Sequence, residues 1–263
     1  MALPAASSIT AAMRRVGTQP LRRLFLLMAG PEVTSSHRNT PATGDGEFFA
    51  GLRTVAIDGT QMAIADTEAN RRYFPKPAAG PNGPAGYPTI RLVTLVTCGT
   101  RHLLDAVFGS DTRSEKSYAA ELTDPDRAAE TSTAMGAGML VLADRNFATR
   151  TLMRRVTATG AQFLMRIKHG AHGLKLPVDQ TLPDGSYLPR VTCPDTGTGM
   201  VIRVIDASVT TTTAATSESS DYRLVTSLTD PAVADAEALV SLYHRRWAME
   251  TSYREAEQQD PTY

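Results

Sequence analysis

Met139-Leu140-Val141-Leu142-Ala143-Asp144 is an almost wholly apolar run closed by an acid. It lacks the alternation of a half-exposed strand, so it reads as a central strand buried on both faces. Thr149 to Thr159 then follows helical spacing, Gly160 stops it, and Gln162 to Ile167 is strand-like again. Strand, helix and strand between Gly136 and Lys168 predict a right-handed parallel crossover, and with it an α/β fold.

Upstream, Leu52–Ile57, Thr89–Thr97 and Leu103–Phe108 are β-favouring, the last two joined by a tight link from Cys98 to His102. A Gly/Pro-rich loop, Pro75 to Pro88, separates the first two, and helical spacing recurs from Ser114 to Leu122 and near Ala128. Before them, Ser8 to Gly30 reads as two short helices divided at Pro20, and Pro31 to Glu47 as a linker, which puts a boundary near residue 50. Leu174 to Thr229 is β-patterned: Leu182–Gly185 as a turn, Val201–Ile205 and Tyr222–Thr226 as strands, and Thr210–Ser220 as a polar loop. Asp235 to Glu257, without Gly or Pro and rich in Ala, Glu and Arg, is the clearest helix.

The 263 residues are 42% hydrophobic, enough for a substantial core, which excludes a disordered or fibrous chain. Lys and Arg number 27, as do Asp and Glu, so a polyanionic partner must be met by local patches. Cys98 and Cys193 have no Cys-x-x-Cys spacing, which excludes a Cys-rich zinc site and a disulfide framework. Met1 to Thr10 lacks signal-peptide character, and Leu24 to Gly30 is far shorter than the roughly 20 residues that span a bilayer, so no membrane partner and a cytoplasmic location are expected.

Two acids follow apolar strands: Asp58 after Thr54-Val55-Ala56-Ile57, and Asp144. The C-terminal edge of an open sheet is where α/β folds place their sites. An acid there serves equally well as a turn former or helix cap, and both roles stay open. In the last helix, a turn of about 100° per residue aligns Tyr243, Arg246, Glu250, Arg254 and Glu257 in one stripe, bordered by Leu239 and Trp247. That stripe faces partly inward and leaves the Arg246 guanidinium partly exposed near Glu250. From Arg145 to Lys175 the chain carries Arg145, Arg150, Arg154, Arg155, Arg166, Lys168 and Lys175 and no acid, a basic face suited to phosphate.

Four blocks, Val55-Ala56-Ile57-Asp58-Gly59-Thr60, Leu140 to Phe147, Phe163 to Lys168, and Tyr243 to Tyr253, together resemble the IS4-type transposases of bacterial insertion sequences, members of the DDE and RNase H-like superfamily. The family signature is Tyr, two residues, Arg, three residues, Glu, six residues, Lys. Tyr243, Arg246 and Glu250 match it in register, and Glu257 stands where the Lys falls.

The resemblance implies an RNase H-like mixed sheet flanked by helices over 51–263, with a β-rich insertion at about 168–230 before the last helix and a short helical segment over 1–50. It implies that Asp58, Asp144 and Glu250 are catalytic and hold two Mg²⁺ ions, with Mn²⁺ able to substitute. It also implies that Tyr243, Arg246, Arg145 and Arg254 contact DNA. The partners would be transposon ends and target duplex, with two copies of the chain in the active complex, in a bacterial cytoplasm. Family members carry further segments on both sides, so a truncated copy is expected. An inactive remnant with residual DNA binding and a metal-dependent nuclease of the same fold are the alternatives.

Overall fold

The computed structural model describes residues 6–28, 47–77, 86–130, 134–168, 173–212 and 217–246. The linker expected at Pro31–Glu47 and most of the loop expected at Pro75–Pro88 lie outside them.

Helices α1 (Ala6–Val16) and α2 (Gln19–Met28) precede a mixed sheet, with Pro20 in the first turn of α2, where a missing N–H costs nothing. The sheet begins with β1 (Phe48–Phe49), β2 (Leu52–Ala63), β3 (Thr89–Thr97) and β4 (Leu103–Ser110). Short helix α3 (Glu68–Tyr73) lies between β2 and β3, and α4 (Glu115–Glu121) and α5 (Pro125–Glu130) follow β4. Next come β5 (Met139–Ala143), α6 (Arg150–Ala158) and β6 (Gln162–Arg166). Beyond them are β7 (Gln180–Thr181), β8 (Tyr187–Leu188), β9 (Arg190–Thr192), β10 (Gly199–Val201), β11 (Arg203–Thr212) and β12 (Ser217–Thr226). A last helix, α7, occupies 236–246 among the described residues.

The main sheet runs β4-β3-β2-β5-β6-β12-β11-β8-β7, with β1 beside β2. β2, β3 and β4 form an antiparallel meander, β2, β5 and β6 are parallel, and β12 pairs antiparallel with β6. This is the mixed sheet flanked by helices that the RNase H-like reading expected. In the β-patterned stretch before the last helix, β7, β8, β11 and β12 continue the same sheet, while β9 and β10 pair in a separate two-stranded one.

β5 and β6 are buried on both faces because each contributes to two cores. Val141, Ala143, Phe163 and Met165 pack with Tyr118, Leu122, Leu152, Met153 and Val156 of the α4 and α6 side. Leu140, Leu142 and Leu164 pack with Leu239, Leu242 and Tyr243 of α7. A sheet with helices on both faces satisfies the strands' unbroken apolar sequences. Thr149 caps α6 by accepting the Leu152 N–H at 3.2 Å, and Gly160, at φ 89°, ends the turn that follows it.

Two expectations are corrected. Thr210–Ser220 is not a loop throughout: Val209↔Ser220, Thr210↔Ser219 and Thr211↔Glu218 are paired between β11 and β12, and residues 213–216 lie outside the described ones. β-branched threonines suit a strand, and polarity alone concealed this. Nor does β2 end at Ile57: it pairs with β3 as far as Ala63↔Thr89.

Arg203, fully buried at the start of β11, joins the β11–β12 pair to α7. Its Nε donates to Ser186 Oγ at 2.8 Å and its Nη2 to Asp184 Oδ2, while Nη1 donates to the carbonyl oxygens of Ala234 and Leu228. Those carbonyls bracket the turn entering α7, whose first N–H groups are capped by Asp235 through Ala238 N at 3.0 Å. Burial alone would raise the Asp184 pKa; the Ser186 hydrogen bonds and the Arg203 charge outweigh it and hold the carboxyl below its ordinary range.

With a depressed folded pKa, the stabilisation from Asp184 is present above the unfolded carboxylate value of about 3.9 and is lost as pH falls through the lower folded value. Asp184→Asn is expected to cost about 3 kcal/mol in urea unfolding at neutral pH, because it strands a buried guanidinium, and to flatten the acid limb of the stability profile.

Candidate active site

The parallel pairing of β2 with β5 ends at Ala56↔Leu142. Two residues past that last pair come Asp58, still within β2, and Asp144, in the turn that follows β5, on neighbouring strands whose axes lie about 5 Å apart. The two acids that sequence reasoning singled out thus both follow the end of the β2–β5 ladder.

Local chemistry sets each acid. Asp58 is exposed, and its Oδ1 accepts the N–H of Gly59 at 2.9 Å. A Cβ on Gly59 would lie 3.1–3.3 Å from the Glu115 side chain, so the residue after the acid is confined to glycine or a shifted neighbour. Asp144 is half-buried and makes a turn: its Oδ1 accepts Asn146 N at 2.8 Å and Phe147 N at 3.3 Å, and its carbonyl accepts Phe147 N at 3.2 Å. Phe147 then drops into the core. The turn-forming role is thus real for Asp144 and occupies one carboxylate oxygen. Among the described residues no hydrogen bond reaches the Oδ2 of either acid and no cation forms an ion pair with either.

The ladder's end also leaves carbonyl groups to satisfy. Arg53 N donates to Gly138 O on the β5 side, whereas Thr54 O accepts Cys98 N on the β3 side, so odd-numbered residues of β2 address β5. The Ile57 carbonyl therefore points to where β5 would continue, and Arg246 Nη2 donates to it at 3.4 Å. Tyr243 Oη donates to the Ala143 carbonyl at 3.2 Å. Tyr243 is 2% exposed and Arg246 5%, so the partly exposed guanidinium expected from the helix stripe is corrected. Arg246 turns inward to a carbonyl that the end of the β2–β5 ladder leaves without a strand donor, and Tyr243 adds a second donor to the Ala143 carbonyl, which faces β6.

Arg145, in the turn after Asp144, is exposed. Glu250, Arg254 and Glu257 lie outside the described residues. Sequence reasoning missed a cluster on the other side of Asp144. Arg166 follows Met165, the partner of Ala143, and so ends β6 at the level of Asp144. Its guanidinium sits 4.3 Å from the Tyr222 ring centroid, its Nη2 donates to Asp221 O at 3.1 Å, and Tyr222 Oη lies 3.2 Å from His244 Nδ1 on α7. The available signal was a cation closing a strand beside the one that ends in Asp144; it was counted only as part of a basic stretch.

For a divalent cation the donors on offer are hard carboxylate oxygens, which suit Mg²⁺ or Mn²⁺. Asp58 and Asp144 supply two, and no group of three His, Cys, Asp or Glu gathers among the described residues.

The family described as the transposase DDE domain matches residues 50–259. The chain belongs to the DDE transposases. It is 28% identical to the transposase InsG for insertion sequence element IS4 of Escherichia coli (strain K12), over 97% of this chain and 53% of InsG. It is 31% identical to the putative transposase InsZ of the same organism over 44% of this chain and 36% of InsZ. The chain thus spans about half the length of InsG, and its match covers less of InsZ. A cryo-EM structure of the piggyBac transposase synaptic complex with hairpin DNA overlaps 73% of this chain and 37% of that one at a TM-score of 0.40 and 13% identity, too loosely to carry an argument. No described helix is long and apolar enough to cross a membrane.

Two carboxylates on adjacent strands, with no cation between them, repel. Asp58→Asn and Asp144→Asn are each expected to stabilise the metal-free chain by about 0.5–1 kcal/mol in urea unfolding, the gain shrinking as salt is added. A gain insensitive to salt would show that repulsion is not its source.

Proposed function

We propose that this chain carries the catalytic centre of an IS4-type transposase, which cleaves DNA strands at the ends of an insertion sequence and joins them to a target. The observation that carries this reading is that the β2–β5 ladder stops at Ala56↔Leu142, two residues before both Asp58 and Asp144. Asp58, Asp144 and Glu250 would hold two Mg²⁺ ions, with Mn²⁺ able to substitute. Bound there, the ions supply activation of a water or DNA 3′-hydroxyl and neutralisation of the leaving oxygen.

The protein's own contribution is placement. The Asp144 turn presents one carboxylate oxygen outward, and Gly59 keeps the chain beside Asp58 narrow. Arg145, in the turn directly after Asp144, and Arg166, at the end of neighbouring β6 and stacked on Tyr222, are suited to contact phosphates near a scissile bond. The DNA would be double-stranded transposon ends and target, held by two copies of the chain in the bacterial cytoplasm.

The test is nicking of a supercoiled plasmid by the purified chain with Mg²⁺ or Mn²⁺. Asp58→Asn and Asp144→Asn are expected to lower the rate on the order of 10³-fold or more while metal-free DNA affinity holds or improves. Nicking that survives both substitutions overturns the reading. DNA binding without any metal-dependent cleavage by the parent chain would favour the noncatalytic alternative. Arg145→Ala is expected to weaken DNA binding and to reduce the slope of log affinity against log salt by about one, measured by fluorescence anisotropy.

A further inference from the structure

We infer that Tyr243 and Arg246 are positioning residues, which set the two catalytic strand ends in register through the peptide groups immediately before the acids. The inference rests on the reading of Asp58 and Asp144 as a metal-binding pair.

The Ala143 carbonyl belongs to the peptide joining Ala143 to Asp144, and the Ile57 carbonyl to the peptide joining Ile57 to Asp58. Tyr243 Oη donates to the first at 3.2 Å and Arg246 Nη2 to the second at 3.4 Å. Three residues apart on α7, these side chains lie one turn apart on one face of the helix. One rigid helical turn thereby spans the two strands, and each bond restrains the orientation of the peptide plane from which an acid's Cα departs. β2 and β5 hold each other only as far as Ala56 and Leu142, so beyond that level the ladder itself imposes no spacing.

Burial separates this role from phosphate contact. At 2% and 5% exposure, Tyr243 and Arg246 would have to leave the core to reach a DNA backbone, breaking the hydrogen bonds to Ala143 and Ile57. Tyr243 is held further by an edge-on contact with Tyr222, ring centroids 6.1 Å apart. The upstream end of α7 is pinned through Ala234 by Arg203. The helix is thus anchored at its start, at the Asp144 strand and at the Asp58 strand.

The experiment is Mn²⁺ titration of the full chain without DNA, followed by electron paramagnetic resonance, together with metal-free DNA affinity as a function of salt. Tyr243→Phe keeps the ring and removes only the hydroxyl; it is expected to weaken Mn²⁺ binding about three- to tenfold with the salt slope of DNA binding unchanged. Arg246→Met is expected to do the same, and Arg246→Gln, which loses the charge but keeps an N–H donor, to recover most of the affinity. Unchanged Mn²⁺ binding with a salt slope lowered by about one in both Arg246→Met and Arg246→Gln would overturn the inference in favour of phosphate contact. Should Arg246→Met fail to fold, Tyr243→Phe decides between the same two outcomes. Asp58→Asn separates the two levels of failure. If it leaves the parent's Mn²⁺ binding intact, the metal-pair reading itself is wrong and this inference falls with it; if it abolishes binding that Tyr243→Phe does not alter, only the positioning role is overturned.

Discussion

β2 stays paired with β3 for seven residues past the point where its parallel ladder with β5 stops, and the site depends on that mismatch. A parallel ladder exchanges every second N–H and C=O of each strand with its neighbour, so stopping it abruptly leaves polar groups that must find partners or water. On the β5 side the chain turns at Asp144, which uses its own carboxylate to bond the next N–H groups. On the β2 side the Ile57 carbonyl is met from α7. One interruption thus leaves both acids just past the ladder's last pair and leaves the Ile57 carbonyl for the helix to meet. Continuing β5 by two residues would satisfy that carbonyl from the strand and leave Arg246 without it.

The pair of β11 and β12 takes part in this arrangement. It extends the sheet beyond β6, carries Tyr222 under Arg166, and through Arg203 fixes the turn from which α7 starts. A buried guanidinium is costly to desolvate and adds stability only when its donors are met. Here Ser186 and Asp184 meet them from one segment and Leu228 and Ala234 from another, both distant in sequence. Such a group specifies one arrangement of those segments, because any slip leaves a charge unpaired in the core.

What was legible in the sequence follows from how local each signal is. Thr89–Thr97 was bounded correctly because a run rich in β-branched residues ends at a tight link, and Met139–Ala143 because a doubly buried strand must be apolar throughout and a turn residue must close it. Asp58 and Asp144 could be singled out for the same reason. The extent of β2 could not, since Asp58 to Ala63 is mostly exposed and is held by β3 across the sheet, which leaves no apolar signature. The β11–β12 pairing hid likewise behind Thr and Ser. The inward turn of Arg246 was illegible because an Arg on a helix stripe looks alike whether it faces water or a carbonyl at a strand end; the deciding fact is where β5 stops. Arg203 was overlooked because its partners lie in two separate segments of the chain.

The balance of charge, 27 basic against 27 acidic residues, bears on how such a protein would engage DNA. With no global field to draw a polyanion in, attraction must come from Arg145, Arg166 and their neighbours, and it is opposed locally by the carboxylates they flank. On the proposed reading, cations at Asp58 and Asp144 reverse the sign of that opposition, so metal and DNA each raise the other's affinity by one shared coupling free energy. The burial of Tyr243 and Arg246 fits the same logic. A cation spent on a backbone carbonyl adds little to DNA attraction, but it fixes the pair of acids whose charge the metal must neutralise, and geometry there governs how much of the coupling is realised.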